Sequence, residues 1–302
     1  VHFNRKINQA LKNAYDFLDL RIIFTSSVAL RMHQAAHDLS RRVRLVSVPY
    51  FSFLEHVCLS TRNLHEPLGR EILIEGALSA EYLANDHLFE NYLKGAICPF
   101  SRDVSEIKPA LENVIARIVD DDIPRVSDVS VDDITDIVRV LKFIGRSAVD
   151  GVNPSSVAKN CGVPRSKAEA ILTLLEQAFI VQQIWPFPSS NVLREPKVLL
   201  HPPFRLLYRD YDDAVGGLRE DYAAWALTQA GLPFTYLKST RGEKCPDFLL
   251  KIEDREVVIE VGGRGKGRQQ FKGLGRGVKK RILRAEPPYR GDDLPLWVLG
   301  CM

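Results

Sequence analysis

The chain has 302 residues, 45% of them hydrophobic, and a formal net charge of +3; two or three ordinary cores fit that length, which excludes a disordered or fibrous protein. Cys58, Cys98, Cys161, Cys245 and Cys301 make neither a C-x-x-C pair nor a zinc-spaced Cys/His cluster, so reduced thiols are expected instead of a disulfide framework. No apolar run reaches the roughly 18 residues a bilayer crossing takes, and Val1-His2-Phe3-Asn4 has no signal-peptide layout; a cytoplasmic protein without a membrane partner is expected.

A first residue that is Val, already in a helical pattern, fits a chain whose upstream segment is missing, although methionine removal gives the same start. Phe3, Ile7, Leu11 and Tyr15, four apart, predict a helix over residues 3–15. Arg21-Ile22-Ile23-Phe24 reads as a short strand ending in Thr25-Ser26-Ser27, followed by a helix over 28–39, a strand over 43–48 and, after Pro49, a helix over 50–59. This is α/β layering. Hydroxyls at a strand's C-terminal tip stand where α/β sheets place ligands, and helix capping by Ser26 or Ser27 is the plainer alternative.

From about 65 to 145 the apolar residues recur at helical spacing, as in Leu111, Val114, Ile115 and Ile118. Gly95, Pro99, Pro109 and Pro124 break the run, which predicts a bundle of short helices. Residues 152–184 then read as helix, Gly-containing turn at Cys161-Gly162-Val163-Pro164, second helix and strand, the layout of a winged helix-turn-helix. Arg165 and Lys167 can touch nucleic-acid phosphates there, but base-reading side chains are few; a packing role is the alternative. Residues 196–302 turn α/β, with a helix expected over 218–230 and strands over 197–201, 234–238, 248–252, 257–261 and 297–299.

Three carboxylates in this last part point to chemistry. Asp247 opens one strand and Glu260 ends the next, so a hairpin can bring both to one sheet edge, with Glu220 of the preceding helix as a third acid. Two such acids suit Mg²⁺, which takes a few carboxylate oxygens together with waters and substrate phosphate. The bland alternative is a turn cap at Asp247 and an ion pair from Glu260 to a basic tail. From Arg264 to Arg290 ten Lys or Arg face one acid, Glu286. Arg264, Lys266, Arg268, Lys272, Arg276, Lys279 and Lys280 are candidates for backbone phosphate contact, the glycines between the first of them letting N–H groups approach an anion. Gly262 to Gly267 is not a Walker A loop, because Arg268-Gln269 replaces the Lys and hydroxyl residue.

Pro246-Asp247 and Glu260-Val261-Gly262 resemble the two halves of the PD-(D/E)xK nuclease motif, with Gly262 where the family has its lysine. That resemblance implies catalytic roles for Glu220, Asp247 and Glu260, with Asp247 and Glu260 as metal ligands and Lys266 or Lys272 as substitute cation. Taken in order, several segments are similar to a family of prokaryotic AAA+ ATPases with a nuclease-related C-terminal domain. They are Arg21 to Ser27, Asp38 to Arg42, Val48 to Glu55, Tyr92 to Gly95, Asp120-Asp121-Asp122-Ile123, Leu175 to Ile180, Pro196-Lys197-Val198 and Gly217 to Asp221. The resemblance implies an α/β chain with a helical middle. Residues 1–62 would end an AAA+ core, 63–145 form its lid, 146–195 a winged helix and 196–302 the nuclease-like domain.

It also implies ATP and Mg²⁺ as cofactors of the intact protein, with Thr25 or Ser26 sensing nucleotide and Arg42 completing that site. Without the upstream P-loop, residues 1–302 are expected to hydrolyse no ATP. The expected function is ATP-dependent work on nucleic acid through sequence-independent phosphate contacts. A non-catalytic protein-interaction module with a degenerate nuclease fold and a Mg²⁺-dependent nuclease stay open as alternatives, as do a homo-oligomer and a protein partner.

Overall fold

The computed structural model describes residues 7–18, 20–23, 25, 42, 44, 46–127, 129–187, 195–237, 245–263, 268–271, 277–291 and 293–302. Helices of eight or more residues are labelled; shorter turns are not. Helix α1, Ile7–Phe17, answers the N-terminal periodicity, but Tyr15 and Phe17 face solvent. The strand expected at 21–24 does not form among its described residues, where Ile23 is exposed, nor does that expected at 43–48, where Val48 is exposed. A β-prone run becomes a strand only when a neighbour takes its backbone groups, and among the described residues no strand pairs with these. The helix expected over 28–39 lies outside the described residues.

Helix α2, Phe53–Thr61, starts later than expected because Ser52 caps it: its hydroxyl accepts the Glu55 N–H, while the Glu55 carboxylate accepts the Ser52 N–H at 2.7 Å. The helical middle contains α3, Ile107–Ala116, and α4, Val131–Arg146, with short turns between. Gly95 kinks the chain at φ 131° as its position predicts. Pro109 breaks nothing, since it falls in the first turn of α3, where an absent N–H would have had no helical partner.

Asn153 caps α5, Pro154–Cys161; Gly162 turns the chain at φ 68°, and α6, Arg165–Gln177, follows. Strands β1, Val181–Ile184, and β2, Lys197–Leu200, then pair antiparallel, Val181 against Leu200. Helix α7, Tyr211–Gln229, begins seven residues before the expected Leu218. Gly216-Gly217 hides its first half from a propensity reading, yet packing requires at least the second glycine: a Cβ on Gly217 would meet Arg205 Nε at 2.8 Å.

The last part is a five-stranded mixed sheet in sequential order: β3, Phe234–Tyr236; β4, Phe248–Ile252; β5, Arg255–Gly262; β6, Lys279–Arg284; β7, Asp293–Pro295. The first three are antiparallel and the last three parallel. One expectation fails here, since Trp297–Leu299 is not a strand but part of the 3₁₀ turn Leu296–Cys301, and a strand that no expectation covered forms in the basic run at 279–284. Ile282 and Leu283 of β6 are buried, and Arg281, 2% exposed, donates to the Leu73 and Ile74 carbonyls at 2.8 and 2.5 Å. That cation is therefore committed to the interior.

One apolar core runs from Phe53 to Cys301 across the borders expected at 62, 145 and 195. Phe53 alone stacks near Tyr92 of the helical middle and Trp297 of the C-terminal turn, at 5.3 and 5.6 Å between ring centroids. The architecture is mixed α/β, and among the described residues no helix is long and apolar enough to cross a membrane.

Candidate functional site

The β4–β5 hairpin does what the spacing of its acids predicts. Phe248 pairs with Ile259 at its open end, and the Asp247 N–H donates to the Ile259 carbonyl at 3.0 Å, which sets Asp247 beside Glu260. The Asp247 Oδ2 accepts the Val261 N–H at 2.7 Å. Glu260 is fully buried between β4 and β6, where it pairs with Ile282. Helix α7 brings Glu220 to the same place, and β2 brings a residue absent from the sequence-based site, Lys197. Its ammonium donates to Glu220 Oε2 at 2.7 Å and to Asp150 Oδ1 at 2.9 Å.

Electrostatics tie the five residues into one group. The Asp247 carboxyl is pushed up to about 8, by burial first and then by the charges of Glu220 and Glu260; the Val261 N–H and Lys197 pull the other way. Burial alone would lower Lys197, but Glu220 and Asp150 hold it above its ordinary value, so it stays an ammonium. The Cys245 thiol is raised by burial and by Asp247 and Glu260, which places it at the rim and makes it a poor nucleophile. Asp150 is 87% exposed and Glu220 14%, so the cluster opens to solvent at Asp150 and closes toward Glu260. Two carboxylates, Glu220 and Asp150, hold the ammonium, while Asp247 and Glu260 stand next to them on adjacent strands, and acids outnumber cations in the set.

The donors fit a hard divalent cation in a limited way. Asp247 and Glu260 offer oxygen ligands from adjacent strands, and the high pKa of Asp247 marks a carboxylate short of positive charge. Glu220, expected as a third acid of the set, is instead held by Lys197. Among the described residues no three His, Cys, Asp or Glu side chains are gathered as a metal cage. A cation bound by two carboxylates would complete its shell with waters, as Mg²⁺ does.

Other expected site residues divide clearly. Ser26, Arg264, Lys266, Lys272 and Arg276 lie outside the described residues, and of Arg268 only the backbone is described, in the turn Arg268–Phe271. Lys279 and Lys280 are half-buried on β6. The helix-turn-helix cations are already engaged: Arg165 with Glu169 and Glu195 at 2.9 and 2.8 Å, and Lys167 with Asp133 and Asp136, both at 2.6 Å. Phosphate contact there has to compete with those carboxylates. Thr25 is exposed, and Arg42 pairs with Asp16 of α1 at 3.0 Å. Thr25 and Arg42 meet no described residue of the acid cluster in any recorded contact. The signal that finds Lys197 in sequence is a lysine opening the otherwise apolar run Val198-Leu199-Leu200; a cation there must have a partner.

A family model described as "Domain of unknown function (DUF8612)" matches residues 98–202, from the helical middle through β2. That stretch includes Asp150 and Lys197 and stops short of the other three acids. The chain is also similar to "Uncharacterized protein MJ1637" of Methanocaldococcus jannaschii, 23% identical over 321 residues. The match takes in 97% of this chain and 66% of that protein, so the chain spans just under two thirds of its length. No solved structure matches.

Proposed function

We propose that the cluster of Asp150, Lys197, Glu220, Asp247 and Glu260 is a phosphodiester-handling site. In this reading Asp247 and Glu260 hold a divalent cation such as Mg²⁺, and the chain engages nucleic-acid backbones without reading sequence. The observation that carries the proposal is that Asp247 feels the charges of both Glu220 and Glu260, while Lys197 pairs with Glu220 and Asp150, so that five segments of the chain meet in one charge network. A bound cation would supply Lewis-acid stabilisation of charge on a phosphoryl oxygen. Lys197 supplies the point charge that Gly262 lacks, kept protonated by Glu220 and Asp150 and reachable from the exposed Asp150 side. Coupling to ATP in a longer protein is supported only by the resemblance of the ordered segments between Arg21 and Asp221.

Glu260→Ala and Asp247→Ala should each abolish Mg²⁺ binding in a calorimetric titration and any Mg²⁺-dependent cleavage of DNA or RNA. Lys197→Ala should keep the cation and lose cleavage. Wild-type chain that takes up no Mg²⁺ under conditions where it is folded would sink the reading. One observation favours the rival, a degenerate site on a protein-interaction module: Lys197 and Glu220 already form a closed ion pair. Salt separates the two, since phosphate contacts weaken steeply as salt rises and an apolar protein interface does not.

A further inference from the structure

The acidic run Asp120-Asp121-Asp122 plays no part in the site above, and its members have different surroundings. Asp120 and Asp121 are exposed, and Asp121 meets Arg125 one turn on, at 3.4 Å. Asp122 is only 6% exposed. It makes no capping bond to the following helix and, among the described residues, no hydrogen bond or ion pair. The turn Arg117–Asp122 is a wide, π-helical one, and Asp122 is buried in it together with Val119. Asp122 is not among the side chains whose polar atoms are sealed away without a partner, so its carboxyl looks onto open space beside it.

That space is a cavity of about 240 Å³ between the helical middle, the end of the helix-turn-helix and α7. Asp122 shares its wall with Tyr50, Ile118, His201, Phe204 and Trp225. Tyr50 stands edge-on to Phe204 with centroids 6.5 Å apart. His201 is pushed down to about 4 by burial, so it is neutral, and no Lys or Arg is among the described residues of the wall. Asp122 is the one acid among those described residues.

We propose that this cavity binds a small aromatic cation, a flat ring carrying an amidinium or ammonium group, with the charged group on Asp122 and the ring among Tyr50, Phe204 and Trp225. The faces of aromatic rings attract cations, most strongly where water is excluded. A charge-assisted bond to the carboxylate is about twice as strong as a neutral one, and it gives Asp122 the partner it lacks. An anion of the same shape meets an unpaired carboxyl and no compensating donor cation. The proposal is independent of the acid cluster at the sheet edge.

Benzamidinium and benzoate, equal in outline and opposite in charge, are the probes. In calorimetric titrations of the whole chain, benzamidinium should bind and benzoate should not. Asp122→Asn should weaken benzamidinium about tenfold or more and melt close to wild type, because it keeps the shape and breaks no hydrogen bond or ion pair among the described residues. Ile118→Phe, which fills the cavity, should abolish binding while circular dichroism stays native. The proposal is overturned if wild type ignores benzamidinium, if benzoate binds as well, or if Asp122→Asn binds undiminished.

Discussion

Asp221→Ala should lower the unfolding free energy by about 4 kcal/mol, the range seen when one partner of a buried ion pair is removed. Asp221 is fully buried and Arg205 is 2% exposed. The guanidinium donates to both carboxylate oxygens, at 2.5 and 2.9 Å, and one of them also accepts the Leu200 N–H at 3.0 Å. Burial would lower the Arg205 pKa, but Asp221 and Glu220 hold it above its ordinary value, so truncating Asp221 strands a charged group rather than a neutral one. What remains for the guanidinium is long contacts of 3.4 to 3.5 Å to the carbonyls of Ile144, Gly145 and Ser147 at the end of α4. The double change Arg205→Met with Asp221→Leu should cost less than Asp221→Ala alone, since it strands nothing. Urea unfolding of the three chains checks this; a loss under about 1 kcal/mol for Asp221→Ala would mean the pair is solvated. The pair also bears on the candidate site, because Asp221 follows Glu220 on α7 and Leu200 shares β2 with Lys197. Weaker Mg²⁺ binding should accompany the loss of stability.

How much of this is legible in the sequence depends on how local the cause is. The helix pair α5 and α6 is legible because Asn153-Pro154 starts a helix and Gly162 ends one by their own chemistry, whereas β2, expected with the later sheet, pairs with β1 instead. The meeting of Asp247 and Glu260 is legible because one hairpin makes it. Strand β6 is not: Lys279-Lys280-Arg281 looks like a solvated run, and only the carbonyls of Leu73 and Ile74, some two hundred positions away, show why Arg281 is inside. Lys197 is missed for the same reason, since its partners come from residue 150 and from α7. The opposite error occurs at Ile22 and Ile23, whose β-prone side chains suggest a strand that finds no neighbour among the described residues.

Asp247→Asn should stabilise the metal-free chain near pH 9 by on the order of 5 kcal/mol and leave it nearly unchanged near pH 4. The folded-state pKa is about 8 against an ordinary 3.8, so the native chain holds this proton more tightly than the unfolded chain does. Stability from the group is complete below the unfolded value and is lost as pH rises from about 4 through 8, because folding then encloses a charged carboxylate beside Glu220 and Glu260. An amide carries no charge and its oxygen still accepts the Val261 N–H, so the variant escapes that loss. Thermal melts across this range measure it, and an equal pH slope in both chains would remove Asp247 from the cluster's electrostatics. Millimolar Mg²⁺ then gives a second comparison. If Asp247 and Glu260 hold the ion, wild type should gain stability near pH 9 and Asp247→Asn should gain little, since the variant has lost the charge that draws the ion in. A buried acid that destabilises its own fold until a cation arrives is what a binding site requires; a carboxylate kept for structure alone would stabilise the metal-free chain.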